Sequence, residues 1–267
     1  MLLTVRNPGR ECGTRNPEQK DDIRDVVFLH GWGLDAGVWD EVAARLAARF
    51  RVRALDLPGY GATPACVPYA LPALADAVAR AAPPRCHVVA WSLGGQVALH
   101  WAAAAPQQVR RVALVAATPC FVRRPGWAHA IEPEVLAAFA QELKRDAGGA
   151  LKRFLLLQAQ GDARARQVAR RLRAALAARP RPSAEALEGG LEILQSADLR
   201  GALRSVAQRA LVLHGDRDAL APLGAGEYLA RELPNARVAV LPGAAHAPLV
   251  SAPHAVGRLL EDFLDER

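Results

Sequence analysis

A lone serine, Ser92, follows four β-prone residues, Val88 to Trp91, and precedes Leu93, Gly94, Gly95 and an alanine-rich helical pattern. Strand, serine, small residues and helix, in that order, make what a nucleophile elbow requires. The turn is so tight that it holds the hydroxyl out from the backbone at the C-terminal edge of a sheet. Strand and helix pass close together only where small residues sit two positions either side of the serine. Here these are Ala90 and Gly94, so the motif is Ala-x-Ser-x-Gly, a mild departure from Gly-x-Ser-x-Gly. For ester chemistry such a serine needs a base to take its proton, an acid to orient the base, and donors for the oxyanion.

Two downstream loops hold the other residue types, in the chain order Ser, Asp, His. The apolar run Ala210–Leu213 leads into His214-Gly215-Asp216-Arg217-Asp218, and Val238–Leu241 leads into Pro242-Gly243-Ala244-Ala245-His246-Ala247-Pro248. His246, flanked by small residues, suits a mobile loop that carries the base over Ser92. Asp216 and Asp218 compete as the acid. Gly-x-x-Asp followed four residues later by Pro222 selects Asp218. Of the other histidines, His87 precedes a strand, His100 falls inside a helix, and His129 and His254 are surface positions. His30 and His214, at strand ends, suit backbone-orienting roles. The oxyanion donors are expected to be the backbone N–H of Leu93 and that of Trp32, in the loop His30-Gly31-Trp32-Gly33, where glycine lets the chain bend close to a carbonyl. Asp56-Leu57-Pro58-Gly59-Tyr60-Gly61 is a second strand-to-turn signal, with a structural role.

These residues need a scaffold, and the apolar periodicity supplies one. Strand-length runs recur at Val26–Leu29, Val52–Leu57, Val88–Trp91, Val112–Ala116, Ala210–Leu213 and Val238–Leu241. Helical patterns lie between several of them: Val38 to Arg49, Leu71 to Ala81, Gln96 to Ala105, Gly224 to Glu232 and Pro253 to Leu264. Strands that are nearly all apolar, alternating with helices, predict an α/β fold with a mostly parallel central sheet covered on both faces. The alternation stops between residues 119 and 203. There the pattern is helical, with breaks at Pro125, Pro133, Gly148-Gly149, Pro180 and Pro182, which predicts an inserted helical lid. The core is then 1–118 and 204–267, and the lid 119–203.

A chain of 267 residues, half of them hydrophobic, suffices for one α/β domain with such an insertion. It shows no signal-peptide pattern and no apolar run of membrane-spanning length, so a cytoplasmic location without membrane attachment is expected. Cys12, Cys66, Cys86 and Cys120 have no metal or redox spacing and suit buried or incidental thiols. No metal or organic cofactor is expected. The net charge of +7 is concentrated between Lys144 and Arg181, where nine arginines and two lysines face only Asp146 and Asp162. A basic band of that kind points to an acidic partner or substrate. It lacks the interleaved aromatics or motif of a nucleic-acid binder.

From about residue 25 onward these features resemble the α/β-hydrolase superfamily. A narrower resemblance, to the BioH family of pimeloyl-[acyl-carrier protein] methyl ester esterases, lies in further segments. These are His30-Gly31-Trp32-Gly33-Leu34, Trp91-Ser92-Leu93-Gly94-Gly95, Pro119-Cys120-Phe121, Arg153-Phe154-Leu155, Gly189-Gly190-Leu191-Glu192-Ile193-Leu194 and Ala244-Ala245-His246-Ala247-Pro248. The Gly-Gly-Leu-Glu-Ile-Leu segment is specific, because catalysis itself does not demand it. The resemblance implies a nucleophile at Ser92, an acid at Asp218 and a base at His246. It implies substrate contacts at Trp32, Leu93, Phe154, Leu155, Leu156, Leu157, Gln158 and His246, and contacts with an acidic acyl-carrier protein at Arg153, Arg166 and Arg170. One family arginine position aligns with Gly149, where nearby Lys152 offers a replacement. The segment before Asp25 departs from the pattern.

The function so implied is a monomeric serine carboxylesterase that releases methanol from pimeloyl-carrier methyl ester in biotin biosynthesis. The residues suit it: Trp32, Trp91, Phe121, Phe154 and Leu157 are candidates to line an apolar channel. The alternative is a general short-chain carboxylesterase, thioesterase or acyltransferase of the same fold. A non-enzymatic binding protein would not need the Ser, Asp and His set, and a dehalogenase would carry Asp in place of Ser92.

Overall fold

Six of the apolar runs become parallel strands: β2 (Asp25–Leu29), β3 (Arg51–Leu55), β4 (Cys86–Trp91), β5 (Val109–Val115), β6 (Arg209–Gly215) and β7 (Ala236–Leu241). The computed structural model describes residues 5–6 and 23–266. Cys12 and most of the N-terminal segment lie outside the described residues. A two-residue strand, β1 (Val5–Arg6), pairs antiparallel with β3 at the sheet edge.

The strand order is β1-β3-β2-β4-β5-β6-β7. The chain runs outward from β2 to β3, then returns past β2 to lay down β4. The loops leaving β2 and β4 therefore diverge at a topological switch point, where α/β sheets open a crevice at the carboxyl ends of their strands. The loop after β2 is His30–Gly33, and the residue after β4 is Ser92.

Both faces of the central strands are covered, which is why Val26–Leu29, Val88–Trp91 and Ala210–Leu213 are apolar without a break. Val27, Leu29, Val88 and Ala90 face one core, built with α2 (Leu71–Ala81), α3 (Leu93–Ala104) and α8 (Leu223–Glu232). Val26, Phe28, Val89 and Trp91 face the other, built with α1 (Asp40–Leu46) and α10 (Pro253–Asp265). β5 starts at Val109, three residues before its apolar run. Arg110 and Arg111 interrupt the pattern, yet Arg111 lies across the Phe263 ring and bonds the Phe263 and Glu266 carbonyls at the end of α10. The expected helix 38–49 divides into a 3₁₀ turn, Ala36–Trp39, and α1. Asp35 caps that turn by accepting from Gly37 N at 2.7 Å. His87 lies within β4 rather than before it.

Four helices fall between β5 and β6: α4 (Pro133–Arg145), α5 (Ala147–Ala159), α6 (Ala165–Ala177) and α7 (Ala184–Ser196). Gly148-Gly149 lies in the first turn of α5. Asp146 caps that turn, accepting from Gly149 N at 2.9 Å, and a Cβ at Gly149 would collide with the Asp146 carboxylate. Among the described residues no helix is long and apolar enough to cross a membrane.

Candidate active site

Ser92 occupies a backbone conformation that side chains rarely adopt, φ 54° and ψ −119°, between β4 and α3. Such strain persists only where the surroundings enforce it. Here Ser92 N donates to Val115 O at 3.1 Å and Gly95 N to Ser92 O at 2.8 Å. A Cβ at Gly94 would stand 2.5 Å from His30 O and 2.9 Å from Leu29 O, so α3 leaves the elbow against bare backbone. At the other flank the Ala90 methyl is buried in the core on one face of the sheet, and the departure from Gly-x-Ser-x-Gly is accommodated. α3 therefore begins at Leu93, earlier than its alanine-rich pattern.

From the serine a continuous hydrogen-bonded line runs into the core. His246 Nε2 lies 2.9 Å from Ser92 Oγ, and His246 Nδ1 lies 2.8 Å from Asp218 Oδ2. A carboxylate only accepts, so Nδ1 carries the proton and Nε2 accepts from the serine hydroxyl. Asp218 Oδ1 accepts in addition from Leu220 N and Ala221 N, each at 2.9 Å. Asp216 is not in this line: its Oδ1 accepts from Gly243 N at 2.7 Å, at the exposed end of the histidine loop. All three members of the line are buried.

The histidine loop differs from the expected mobile one. It is buried from Ala244 onward and fastened on several sides. Trp91 Nε1 donates to His246 O at 2.7 Å, Arg217 N to Ala244 O at 3.0 Å, and Ala163 N to Gly243 O at 2.8 Å. Its small residues answer close packing. A Cβ at Gly215 would collide with Ala244 O, which explains the glycine before Asp216 as well.

The glycine loop after β2 packs on the elbow. A Cβ at Gly31 would stand 3.0 Å from the Trp91 ring and 3.1 Å from Ser92 Cβ. His30 Nδ1 donates to Gly31 O at 2.8 Å while its Nε2 accepts from Leu57 N at 2.9 Å. Burial depresses the His30 pKa and keeps it neutral, as that acceptor requires. Tyr60 completes the brace, its hydroxyl accepting from Gly33 N at 3.2 Å. The second strand-to-turn signal thus supports the first. As the first residue of α3, Leu93 has an N–H with no carbonyl one turn before it.

Helix geometry divides the stretch Phe154 to Gln158. Phe154 stacks edge-on to Trp32 with ring centroids 4.7 Å apart, and Leu157 packs partly buried on the same core. Gln158 is buried and its Oε1 has no partner within the protein. Leu155 instead joins the opposite core cluster, and Leu156 is 45% exposed. Five consecutive helical residues cannot share one face, so Leu155 and Leu156 lie on other faces of α5 than Phe154, Leu157 and Gln158. Trp91 packs in the core on the other face of the sheet from Trp32, Phe121 and Phe154, and serves as the strut under His246. Phe121 stays close, 6.3 Å from the His246 ring.

The Gly189-Gly190 pair in α7 now has a physical cause. A Cβ at Gly190 would stand 2.6 Å from Trp32 Cδ1, and one at Gly189 2.6 Å from Tyr69 Cδ1. Trp32 Nε1 donates to Leu187 O at 2.9 Å, so α7 holds the pyrrole edge of the tryptophan at Leu187 and Gly190 alike. Sequence signals existed for the glycines but not for their contacts. His214 lies 3.7 Å behind Asp218 and donates from Nε2 to Ala221 O at 2.6 Å, holding the acid's loop.

Six arginines of the basic band separate into two groups. Arg164, Arg171 and Arg179 fasten the inserted helices to the core, through Ser251 O, Val250 O with Glu41, and Asp35. Arg166, Arg170 and Arg173 line an open groove of about 470 Å³ beside Leu156. Arg153 does not line it, but pairs with Glu142 at 2.9 Å and lies over the Phe139 ring.

Residues 26–259 match the family model described as alpha/beta hydrolase family. The chain is 42% identical to the pimeloyl-[acyl-carrier protein] methyl ester esterase of Nitrosomonas europaea, over 86% of this chain and 91% of that one. It is 43% identical to the protein of the same name from Aromatoleum aromaticum, over 90% and 98%. The chain belongs to the alpha/beta hydrolase family, in its BioH branch. Solved alpha/beta hydrolase structures share the architecture at lower identity. An esterase from Exiguobacterium antarcticum superposes with a TM-score of 0.84 at 19% identity, over 99% of this chain and 96% of that one. The enol-lactonase from Burkholderia xenovorans LB400 does so at 0.81 and 24%, over 99% and 96%.

Proposed function

We propose that this alpha/beta hydrolase is a serine carboxylesterase that hydrolyses the methyl ester of pimeloyl-[acyl-carrier protein], releasing methanol in biotin synthesis. The observation that carries the reading is the unbroken line from Ser92 Oγ through His246 to Asp218, in a chain whose curated relatives bear that name. In the first half-reaction His246 Nε2 takes the proton as Ser92 Oγ attacks the ester carbonyl. The N–H groups of Leu93 and Trp32 hold the oxyanion, His246 returns the proton to methoxide, and methanol leaves. Water then attacks the acyl-serine with the same base, and the free carboxylate departs.

Selectivity is the harder demand, because the thioester joining acyl chain to carrier is the more labile bond. Docking an acidic carrier on the basic rim of the inserted helices, residues 119–203, holds the thioester away from Ser92 and feeds the acyl chain inward. The Trp32 and Phe154 rings, with Leu157 and the unpartnered Gln158 Oε1, supply a wall for that chain. Arg166 and Arg170 supply the docking charge, and Arg153 adds a positive charge on α5 outside their groove.

The test compares pimeloyl-carrier methyl ester with free methyl esters of several lengths. A kcat/KM for the carrier-bound ester well above that for every free ester supports the assignment; equal values leave a general esterase. Ser92→Ala should remove hydrolysis, with losses on the order of 10⁴- to 10⁶-fold in kcat.

A further inference from the structure

Asp162 sits in the turn between α5 and α6, far in sequence from Ser92, Asp218 and His246, and is buried. One of its oxygens does ordinary turn work: Oδ1 accepts from Arg164 N at 2.7 Å, a local bond that leads the chain into a helix. The other does something a turn does not require. Oδ2 accepts at 3.0 Å from the N–H of Ala245, the residue immediately before His246. The next residue repeats the attachment, since Ala163 N donates to Gly243 O at 2.8 Å. Gly161, at φ 88°, brings the turn this close, and a Cβ there would stand 2.9 Å from Arg217 O.

We propose that Asp162 is a positioning residue for His246. It sets the backbone that carries the imidazole, so that Nε2 meets Ser92 Oγ while Nδ1 meets Asp218 Oδ2. The proposal rests on the serine-esterase reading above. Its physical basis is that residues 242–247 have no regular structure to orient their peptide planes. Trp91 holds the His246 carbonyl from the sheet side; Asp162 holds the preceding N–H from the helical side. A charged acceptor makes the stronger kind of hydrogen bond. It is also buried, where competing water is scarce. The inserted helices are therefore part of the catalytic frame as well as a cover for substrate.

The experiment uses the full chain and a small soluble ester, p-nitrophenyl acetate, so that carrier docking plays no part. Turnover is expressed per serine titrated to endpoint with a fluorophosphonate, which removes unfolded protein from the count. Asp162→Ala should lower kcat by up to about 10²-fold with KM unchanged, the scale of loss from a catalytic group misplaced by about 1 Å. Asp162→Asn keeps a neutral carbonyl acceptor and should recover most of that loss while staying several-fold below wild type. Wild-type turnover per titrated serine in Asp162→Ala, whatever its Tm, overturns the proposal, as does a raised KM with kcat intact. If Asp162→Ala does not fold, Asp162→Asn decides alone: several-fold loss in kcat supports the role and wild-type kcat overturns it. Ser92→Ala, run alongside, separates the two readings. Hydrolysis surviving in Ser92→Ala sinks the serine-esterase assignment itself, whereas a silent Ser92→Ala beside a fully active Asp162→Ala sinks only the role of Asp162.

Discussion

At the scale of single residues, the choice between two aspartates two positions apart is the sharpest case. Asp218 reaches the imidazole and Asp216 reaches only the Gly243 N–H. In Asp218→Asn the amide oxygen is kept by the Leu220 and Ala221 N–H groups, so the NH₂ faces Nδ1 and favours the wrong tautomer. The substitution should lower kcat by about 10³-fold or more. Asp216→Asn keeps a carbonyl acceptor for Gly243 N and should stay near wild type. Comparable losses from the two, measured on one ester, would reverse the assignment. Gly190 offers a second test, because two principles predict opposite signs there. Helix propensity alone makes Gly→Ala stabilising by roughly 1 kcal/mol in a helix interior. The Cβ, however, would stand 2.6 Å from the Trp32 ring, which α7 and Phe154 already hold. Gly190→Ala should therefore lower both Tm and esterase activity. Gly201→Ala, with nothing within 4 Å of its Cβ, should do neither. A Gly190→Ala protein with raised Tm and full activity would remove the packing explanation.

At the scale of elements, α6 carries two opposed duties on two faces. Val168, Ala169 and Leu172 are buried against the core, and Arg164 and Arg171 bond backbone carbonyls of the segment after His246. Arg166 and Arg170, one turn apart, point into the open groove with Arg173. The two groups should fail differently. Replacing Arg166 and Arg170 with Glu should lower kcat/KM for the carrier-bound ester strongly and leave a small free ester untouched. Added salt should weaken the wild-type reaction with the carrier substrate, since exposed charge is screened over roughly 10 Å at 0.1 M. Equal effects on both substrates would remove the carrier from the account. Arg171→Gln, by contrast, should lower Tm and affect both substrates alike, because it loosens α6 from the core. Arg153 is already matched by Glu142, so its replacement should matter less than that of the α6 pair.

At the scale of the molecule, three buried histidines outside the Ser, Asp and His line share one response to pH. Burial depresses the pKa of His30, His87 and His214 below the ordinary 6.5. For His87 the value falls to about 4, with the Arg111, Arg110 and Arg24 cations adding to burial. As pH falls below 6.5 the unfolded chain takes up protons that the folded chain refuses, so the stability these groups contribute is present above 6.5 and drains below it. For His87 the slope approaches about 1.4 kcal/mol per pH unit within its window. That window runs from 6.5 to about 4. Urea midpoints measured across it should fall with pH, and His87→Gln should make the fall shallower by one proton. An unchanged slope in His87→Gln would show that His87 does not titrate this way.

Much of this molecule was legible along the chain, because its signals are local. The elbow is written in consecutive residues, since a strand, a strained turn and a helix need apolar, small and alanine-rich residues in that order. The parallel sheet is written in the all-apolar runs, since strands covered on both faces have no polar side. Asp218 and His246 were legible because each follows a strand end, and parallel strands bring such ends to one edge. What the tertiary structure alone decided are contacts between segments remote in sequence. Trp91 changed from a presumed channel wall to the strut beneath His246, because only the packed fold brings its Nε1 to that carbonyl. Leu155 and Leu156 face away from Phe154, Leu157 and Gln158 because a helix turns neighbours to different faces. Gly149, Gly189 and Gly190 owe their lack of a side chain to a carboxylate and two aromatic rings that the sequence does not bring near. Asp162 showed nothing beyond a charge in a basic band, and its bond to Ala245 spans 83 residues. Local propensity and periodicity set which elements form, whereas the roles of these side chains follow from close approach between elements, which no pattern along the chain encodes.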